Sequence, residues 1–351
     1  MAARGSRVVI TGVSSHWGSE LARALARDPS ITYLAGIDTR PPGVDLDRTE
    51  FIEADIRNPV ISRILPGLEP EVVVHCGIVW YPEPEKPARA LHDINVIGSL
   101  QLLAACEKVE GLRAVVARGS AAIYGCEAAA PSFFTEEMAR RYPLKTRFQR
   151  DIGELEGYFD NFARRHPAVT CTMLRFQPEI GPGLEQPLNR YLSLPVVPTQ
   201  LGFDPRLQLI HADDATGALA AAARNPVRGA VNVAPDGTIS LTRILRLAGR
   251  PTLPVPHLLA GSVFSRLGRQ LGAADLYDDG IRLLRYGRGC DNTRLKSEVR
   301  YVPSYDAEAA VRDFVAKSSA SRRLFPSPHP GAVAQRINGN GSVAGTAAGR
   351  R

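Results

Sequence analysis

The stretch Arg7-Val8-Val9-Ile10-Thr11-Gly12-Val13-Ser14-Ser15-His16-Trp17-Gly18 decides the fold. Its first five residues are a β-branched run too short for a helix, and the glycine after them permits a tight turn. A helix over Ser19–Ala26 comes next, and Tyr33–Asp38 reads as a second apolar strand. Glu71–His75, Arg113–Ala117 and Val169–Arg175 are further strands, separated by helical stretches over Asn95–Lys108 and Asp151–Arg165. Nearly continuous apolar strands alternating with helices predict a parallel sheet covered on both faces. The fold class expected is α/β, a doubly wound parallel sheet with a smaller, interleaved C-terminal region.

After Arg175 the texture changes, and Pro178, Gly181, Pro182, Gly183, Pro187, Pro195 and Pro198 crowd together. Strand character returns at Leu207–His211 and Ala230–Val233, and helical stretches follow near Leu241–Leu247, Gly261–Leu271 and Ala307–Lys317. The expected division is therefore a first unit over 1–175 with 207–235 returning to it, and a second, smaller region over 176–206 and 236–317. Residues 318–351 are rich in Gly, Ser, Ala and Pro and poor in apolar residues, so a disordered tail is expected there.

Composition excludes several functions. With 44% hydrophobic and 23% charged residues among 351, wholesale disorder is ruled out. No uncharged apolar run is long enough to cross a bilayer, and no signal peptide precedes the first strand, so a cytoplasmic protein is expected. Of the net charge of +7, the last 34 residues carry five arginines and no acid. The rest is near neutral and lacks the basic footprint of a nucleic-acid binder. Cys76, Cys106, Cys126, Cys171 and Cys290 are scattered and odd in number, which predicts buried thiols rather than a disulfide framework or a metal site.

The turn after the first strand carries chemistry. In dinucleotide sites one glycine makes the turn, a second admits the pyrophosphate, and a third packs helix on strand. Gly12 and Gly18 hold the outer spacing, while Ser15 stands at the middle position. A Cβ there is expected to push a pyrophosphate outward. Asp38 ends the second strand, where a carboxylate accepts from ribose hydroxyls and repels a 2′-phosphate, favouring NAD over NADP despite nearby Arg40. Asp55-Ile56, after a third short strand, is placed to meet the adenine amine.

These motifs continue in order through His75-Cys76-Gly77, Asn95-Val96-x-Gly98 and Ser120-Ala121-Ala122-Ile123-Tyr124-Gly125. Leu174-Arg175, Gly181-Pro182-Gly183, Leu209 to Ala215, Val231 to Ala234 and Asp291 to Leu295 extend the series. The whole resembles the extended short-chain dehydrogenases/reductases, and within them the NAD-dependent epimerase/dehydratase family typified by UDP-glucose 4-epimerase, in an atypical actinobacterial branch. The resemblance implies a dinucleotide-binding Rossmann domain over 1–175 and 207–235, a substrate-binding region over 176–206 and 236–317, NAD as cofactor, and a nucleotide-sugar or related polyol as substrate. It places His16, Trp17, Cys76, Gly77 and Asn95 along the dinucleotide site as well, although Asn95 also suits a helix N-cap. Expected partners are that small molecule and a second copy of the chain, with no nucleic acid and no membrane.

In this family a Ser holds the reacting hydroxyl, and a Tyr four residues before a Lys moves its proton. Ser120 matches the Ser, four residues before Tyr124, which belongs to the strand-end motif. The resemblance puts Phe148 at the Tyr position and Ile152 at the Lys position. Tyr142 with Lys145, or Asp151 or Glu154, are the substitutes the sequence offers. Pro178 stands where the family holds its sugar with an Asn, leaving Gln177 as the neighbouring stand-in, and His211 resembles a structural histidine. Two functions follow: an epimerase/dehydratase with an atypical base, or a nucleotide-binding protein without turnover.

Overall fold

The computed structural model describes residues 5–80, 90–184, 186–270 and 277–324. Six strands come first: β1 (Ser6–Thr11), β2 (Ile31–Asp38), β3 (Glu50–Glu53), β4 (Val72–His75), β5 (Ala114–Ser120) and β6 (Thr170–Phe176). Then follow β7 (Glu179–Ile180), β8 (Val197–Gln200), β9 (Arg206–Leu207), β10 (Ile210–His211), β11 (Gly229–Val233), β12 (Ile239–Ser240) and β13 (Thr252–Val255). The helices of the first half are α1 (His16–Ala26), α2 (Ile61–Gly67), α3 (Gly98–Cys106) and α4 (Arg147–Arg165). Those of the second half are α5 (Pro187–Leu192), α6 (Ala212–Arg224), α7 (Leu241–Leu247), α8 (His257–Gln270), α9 (Tyr277–Tyr286), α10 (Thr293–Ser297) and α11 (Ala307–Leu324).

Seven strands form one sheet in the order β11-β6-β5-β4-β1-β2-β3, every neighbouring pair parallel. The chain winds outward from β1 through β2 and β3, then crosses back to lay β4 on the other side of β1. This reversal opens a crevice at the C-terminal ends of β1 and β4, where open α/β sheets place their ligands. The doubly wound sheet is as the apolar strand pattern predicts.

The core is built in two main pieces. The larger holds the central sheet between α1, α3, α4 and α6, with Val8, Ile10, Leu21, Val74, Val116 and Leu219 out of contact with water. The second lies in the C-terminal half, where Tyr191, Leu207, Ile244, Phe264, Val311 and Phe314 pack together. All five cysteines are buried free thiols. No helix among the described residues is long and apolar enough to cross a membrane.

Boundaries differ from expectation where capping or pairing extends an element. Helix α4 starts four residues before Asp151, because the Thr146 hydroxyl accepts from Gln149 N at 3.1 Å and the Gln149 carbonyl accepts from Lys145 N and Thr146 N. That reciprocal cap fixes a helix start. Helix α11 runs to Leu324, so the boundary expected at 317 falls inside it, and the rest of the expected tail lies outside the described residues.

Candidate functional site

The turn after β1 is shaped by contact between backbones. Gly12 has φ +75°, and a Cβ on it would fall 2.3 Å from the Gly77 Cα. A Cβ on Gly18 would lie 2.1 Å from the Gly12 carbonyl oxygen. Both glycines are thus required by the approach of the turn to α1 and to the segment after β4. Ser15 is the N-cap of α1: its hydroxyl accepts from Gly18 N at 3.1 Å and donates to Gly12 O at 2.6 Å. The side chain expected to crowd a pyrophosphate is folded back into the turn.

Asp38 secures the same turn. Its carboxylate accepts from Ser14 N at 3.0 Å and from Thr39 N at 2.7 Å, and it stays partly exposed with lone pairs to spare. Asp55 is otherwise engaged. Arg57 donates to it from Nη2 at 2.6 Å and from Nε at 3.0 Å, and holds its carboxyl below the usual carboxylate range. Ile56 packs over Gly98. The carboxylate expected to meet an adenine amine thus has an ion-pair partner within the chain and stays partly exposed.

The segment after β4 is held by a buried hydrogen-bond chain that the sequence does not announce. Thr11 Oγ1 donates to His75 Nδ1 at 2.7 Å, and His75 Nε2 donates to Ser99 Oγ at 2.9 Å. Ser99 in turn donates to Asn95 O, which fixes this tautomer. Asn95 accepts from Val79 N at 2.8 Å and donates to Val79 O at 2.9 Å. It therefore caps no helix; it lies inside a π-turn over Asp93–Ile97 and clamps the loop that carries Cys76, Gly77 and Trp80. Burial drives the His75 pKa down to about 4, so the ring is neutral, and burial pushes the Cys76 thiol up to about 12.

Ser120, at the end of β5, accepts from Ala122 N at 3.2 Å and lines a cavity. Trp80, Phe148, Phe176, Leu188, Tyr191 and Leu283 are large apolar members of its wall, Pro178 also lines it, and Asp279 and Arg288 are its charged members. Phe148 is thus brought to the cavity of Ser120. Ile152, one turn further along α4, is 3% exposed and packs with Ala121, Ala122 and Ile123. Asp279 accepts from Gln149 Nε2 at 2.7 Å and lies 3.9 Å from the Arg288 guanidinium. Burial raises its carboxyl, and Arg288 and Gln149 pull it part of the way back.

The other proposed bases are elsewhere. The Tyr142 hydroxyl donates to Ala129 O at 3.0 Å, and Lys145 pairs with Glu127 at 2.7 Å. Asp151 faces His92 at 2.9 Å, and Glu154 is on the exposed side of α4. None of the four lines the cavity. Gln177 is fully buried, and its amide donates to Gln208 and to the Cys290 sulfur. Its carbonyl accepts from Arg288 Nε at 3.4 Å, so it reaches the cavity only through that arginine. Tyr124 is a structural residue: its hydroxyl donates to Asn232 Oδ1 at 2.6 Å and accepts from Arg175, which Glu156 holds by two bonds of 2.9 Å. His211 caps α6 and pairs with Asp313 at 3.1 Å.

Comparison with known proteins places this arrangement. A family model described as the NAD dependent epimerase/dehydratase family matches residues 8–234. The chain belongs to that family. It is 36% identical over 311 residues to the uncharacterized protein Rv0501 of Mycobacterium tuberculosis, covering 88% of this chain and 82% of that one. Among solved structures it is similar to dTDP-glucose 4,6-dehydratase of Bacillus anthracis in complex with NAD (TM-score 0.68, 14% identity, 92% of this chain and 99% of that one). It is similar also to a UDP-glucose 4-epimerase of Thermotoga maritima with UDP-glucose (TM-score 0.65, 18% identity, 90% and 99%). At such identities the structures speak for the fold alone.

The family's name implies NAD, and the residues present fit its two halves unequally. The adenosine end has Asp38 at the tip of β2 and the first turn of α1 beside it, a suitable seat for a ribose and a diphosphate. Toward Ser120 stands Arg118, which is 2% exposed between the rings of Trp17 and Trp80 and is paired with buried Glu179 at 2.5 Å, where the other half would need room. Arg118 and Glu179 form a buried charged pair that the sequence pattern does not single out. The one available signal was a charged residue two positions before Ser120 in an otherwise apolar strand.

Proposed function

We propose that this protein is a nucleotide-binding member of the family that holds an adenine nucleotide at the Gly12 turn and a small, largely apolar ligand at Ser120, without the family's Tyr–Lys proton transfer. One observation carries the reading: Phe148 stands in the cavity wall with Ser120, and Ile152 is shut into the apolar packing behind it. A phenyl ring has no proton to exchange. A buried isoleucine lends no charge to lower the pKa of a hydroxyl near 10. Asp38 supports an unphosphorylated adenosine ribose, as in NAD, over the 2′-phosphate of NADP. The test is an assay of the full chain with UDP-glucose and UDP-galactose in the presence of NAD. No interconversion is expected, and robust epimerisation would end this reading.

A second reading, turnover of a nucleotide-sugar or related polyol, has one feature in its favour. Asp279 is a buried carboxyl in the same cavity wall as Ser120, raised by burial, and such groups serve as acids or bases. Activity with either sugar nucleotide that Asp279→Asn abolishes, with the fold intact by circular dichroism, would establish it.

A further inference from the structure

Residues two apart on a strand share a face, so Arg118 stands on the same side of β5 as Ser120, one pleat earlier. Its guanidinium carbon lies 3.9 Å from the ring centre of Trp80, 4.8 Å from that of Trp17 and 5.3 Å from that of Phe176. Nη2 donates to Glu179 Oε1 at 2.5 Å, and Glu179 is fully buried on β7. Trp17 belongs to the first turn of α1, whereas Trp80 and Phe176 also wall the Ser120 cavity. The cation thus fills the space between the start of α1 and that cavity.

This space is the route that the second half of a dinucleotide must take. An adenosine placed by Asp38 lies over β1 and β2, on one side of the crevice. From there the chain of a dinucleotide runs past the start of α1 and over the ends of β4 and β5 before it reaches Ser120. Here that crossing is closed by one guanidinium and three aromatic rings. Moving Arg118 aside would strand the Glu179 carboxylate without its partner in the interior, the most unfavourable way to break a buried pair. The stacking on Trp80 and Trp17 adds cation–π attraction that desolvation strengthens.

We propose that Arg118, pinned by Glu179, is a specificity-determining residue that confines the nucleotide site to adenine nucleotides ending at the diphosphate and excludes the nicotinamide riboside half. The inference rests on the reading that the Gly12 turn receives a nucleotide. It makes the Ser120 cavity a separate compartment, walled off from the nucleotide by the stack.

Calorimetric titration of the full chain with ADP, ADP-ribose and NAD tests it. The expected result is that neither ADP-ribose nor NAD binds more than about threefold tighter than ADP. NAD binding beyond that margin overturns the inference while leaving the nucleotide reading intact. Failure of all three ligands to bind overturns both together. The double variant Arg118→Ser with Glu179→Gln removes the cation without stranding a carboxylate. It should raise NAD affinity about tenfold or more and leave ADP within about threefold. Retained ADP binding with no gain for NAD would show that the stack is not the barrier. If the variant does not fold, the wild-type comparison of ADP with NAD decides by itself.

Discussion

Phe148 and Ile152 differ in what a substitution can restore. Phe148 is partly exposed to the cavity, so Phe148→Tyr adds a hydroxyl where there is space and is expected to leave the melting temperature within error. Ile152 is enclosed by Ala121, Ala122 and Ile123, and Ile152→Lys would force an ammonium into that packing. Burial of an unpaired charge is among the few single changes that cost more than about 2 kcal/mol. Thermal melts of the two single variants check this, with a drop of several degrees expected for Ile152→Lys alone. The pair needed to rebuild a Tyr–Lys relay is therefore opposed by the packing behind the cavity. Asp38 gives a second residue-level expectation. Adenosine 2′,5′-bisphosphate should bind about tenfold more weakly than AMP, from which it differs only by the 2′-phosphate that would face the carboxylate. Asp38→Asn should narrow that gap, as competition titration would show.

At the scale of elements, the link between β1, β4 and α3 runs through one neutral ring. His75 is buried with its pKa down near 4, against an ordinary value near 6.5 in the unfolded chain. The unfolded state therefore takes up the proton first, and this group's contribution is fully present above pH 6.5 and is lost as pH falls toward 4. The loss integrates to about 3 kcal/mol by the linkage relation. Melts at pH 7 and pH 5 should show a steeper fall for the wild type than for His75→Gln, and equal slopes would refute the role. Ser99→Ala removes the acceptor of His75 Nε2 and should cost about 1–3 kcal/mol at neutral pH. How far the site was legible follows from the same elements. The β-branched runs, the Gly12 turn and the strand-ending Asp38 show in the sequence because local backbone preference dictates them. The Thr11–His75–Ser99–Asn95 chain, the Arg118–Glu179 pair and Asp279 do not show, because each joins residues far apart in the chain through burial alone. Arg118 was hidden further by the expected end of its strand at Ala117, three residues before the observed one.

For the whole molecule, the second core has to be closed by the end of the chain. Its strands are short pairs, β8 with β13 and β9 with β12, and neither joins the seven-stranded sheet. Two-stranded pairs of this length contribute little without an apolar face to pack on. That face comes from helix α11, where Ala307, Ala310, Val311 and Phe314 are buried against the cluster of Leu241 and Ile244. The helix is also tied to the rest of the molecule by Asp313, which meets His211 at the start of α6. Phe314 is 6% exposed, so Phe314→Ala deletes a ring from the second core and should cost about 3–5 kcal/mol. Removal of residues 325–351, by contrast, deletes a segment rich in Gly, Ser, Ala and Pro and is expected to leave the melting temperature unchanged. Both changes act at the C-terminal end of the chain. If α11 closes the second core, calorimetry will show the point substitution lowering the transition by several degrees while the 27-residue deletion leaves it in place. A deletion as damaging as Phe314→Ala would mean that residues beyond Leu324 dock on the folded protein and that the core extends past the helix.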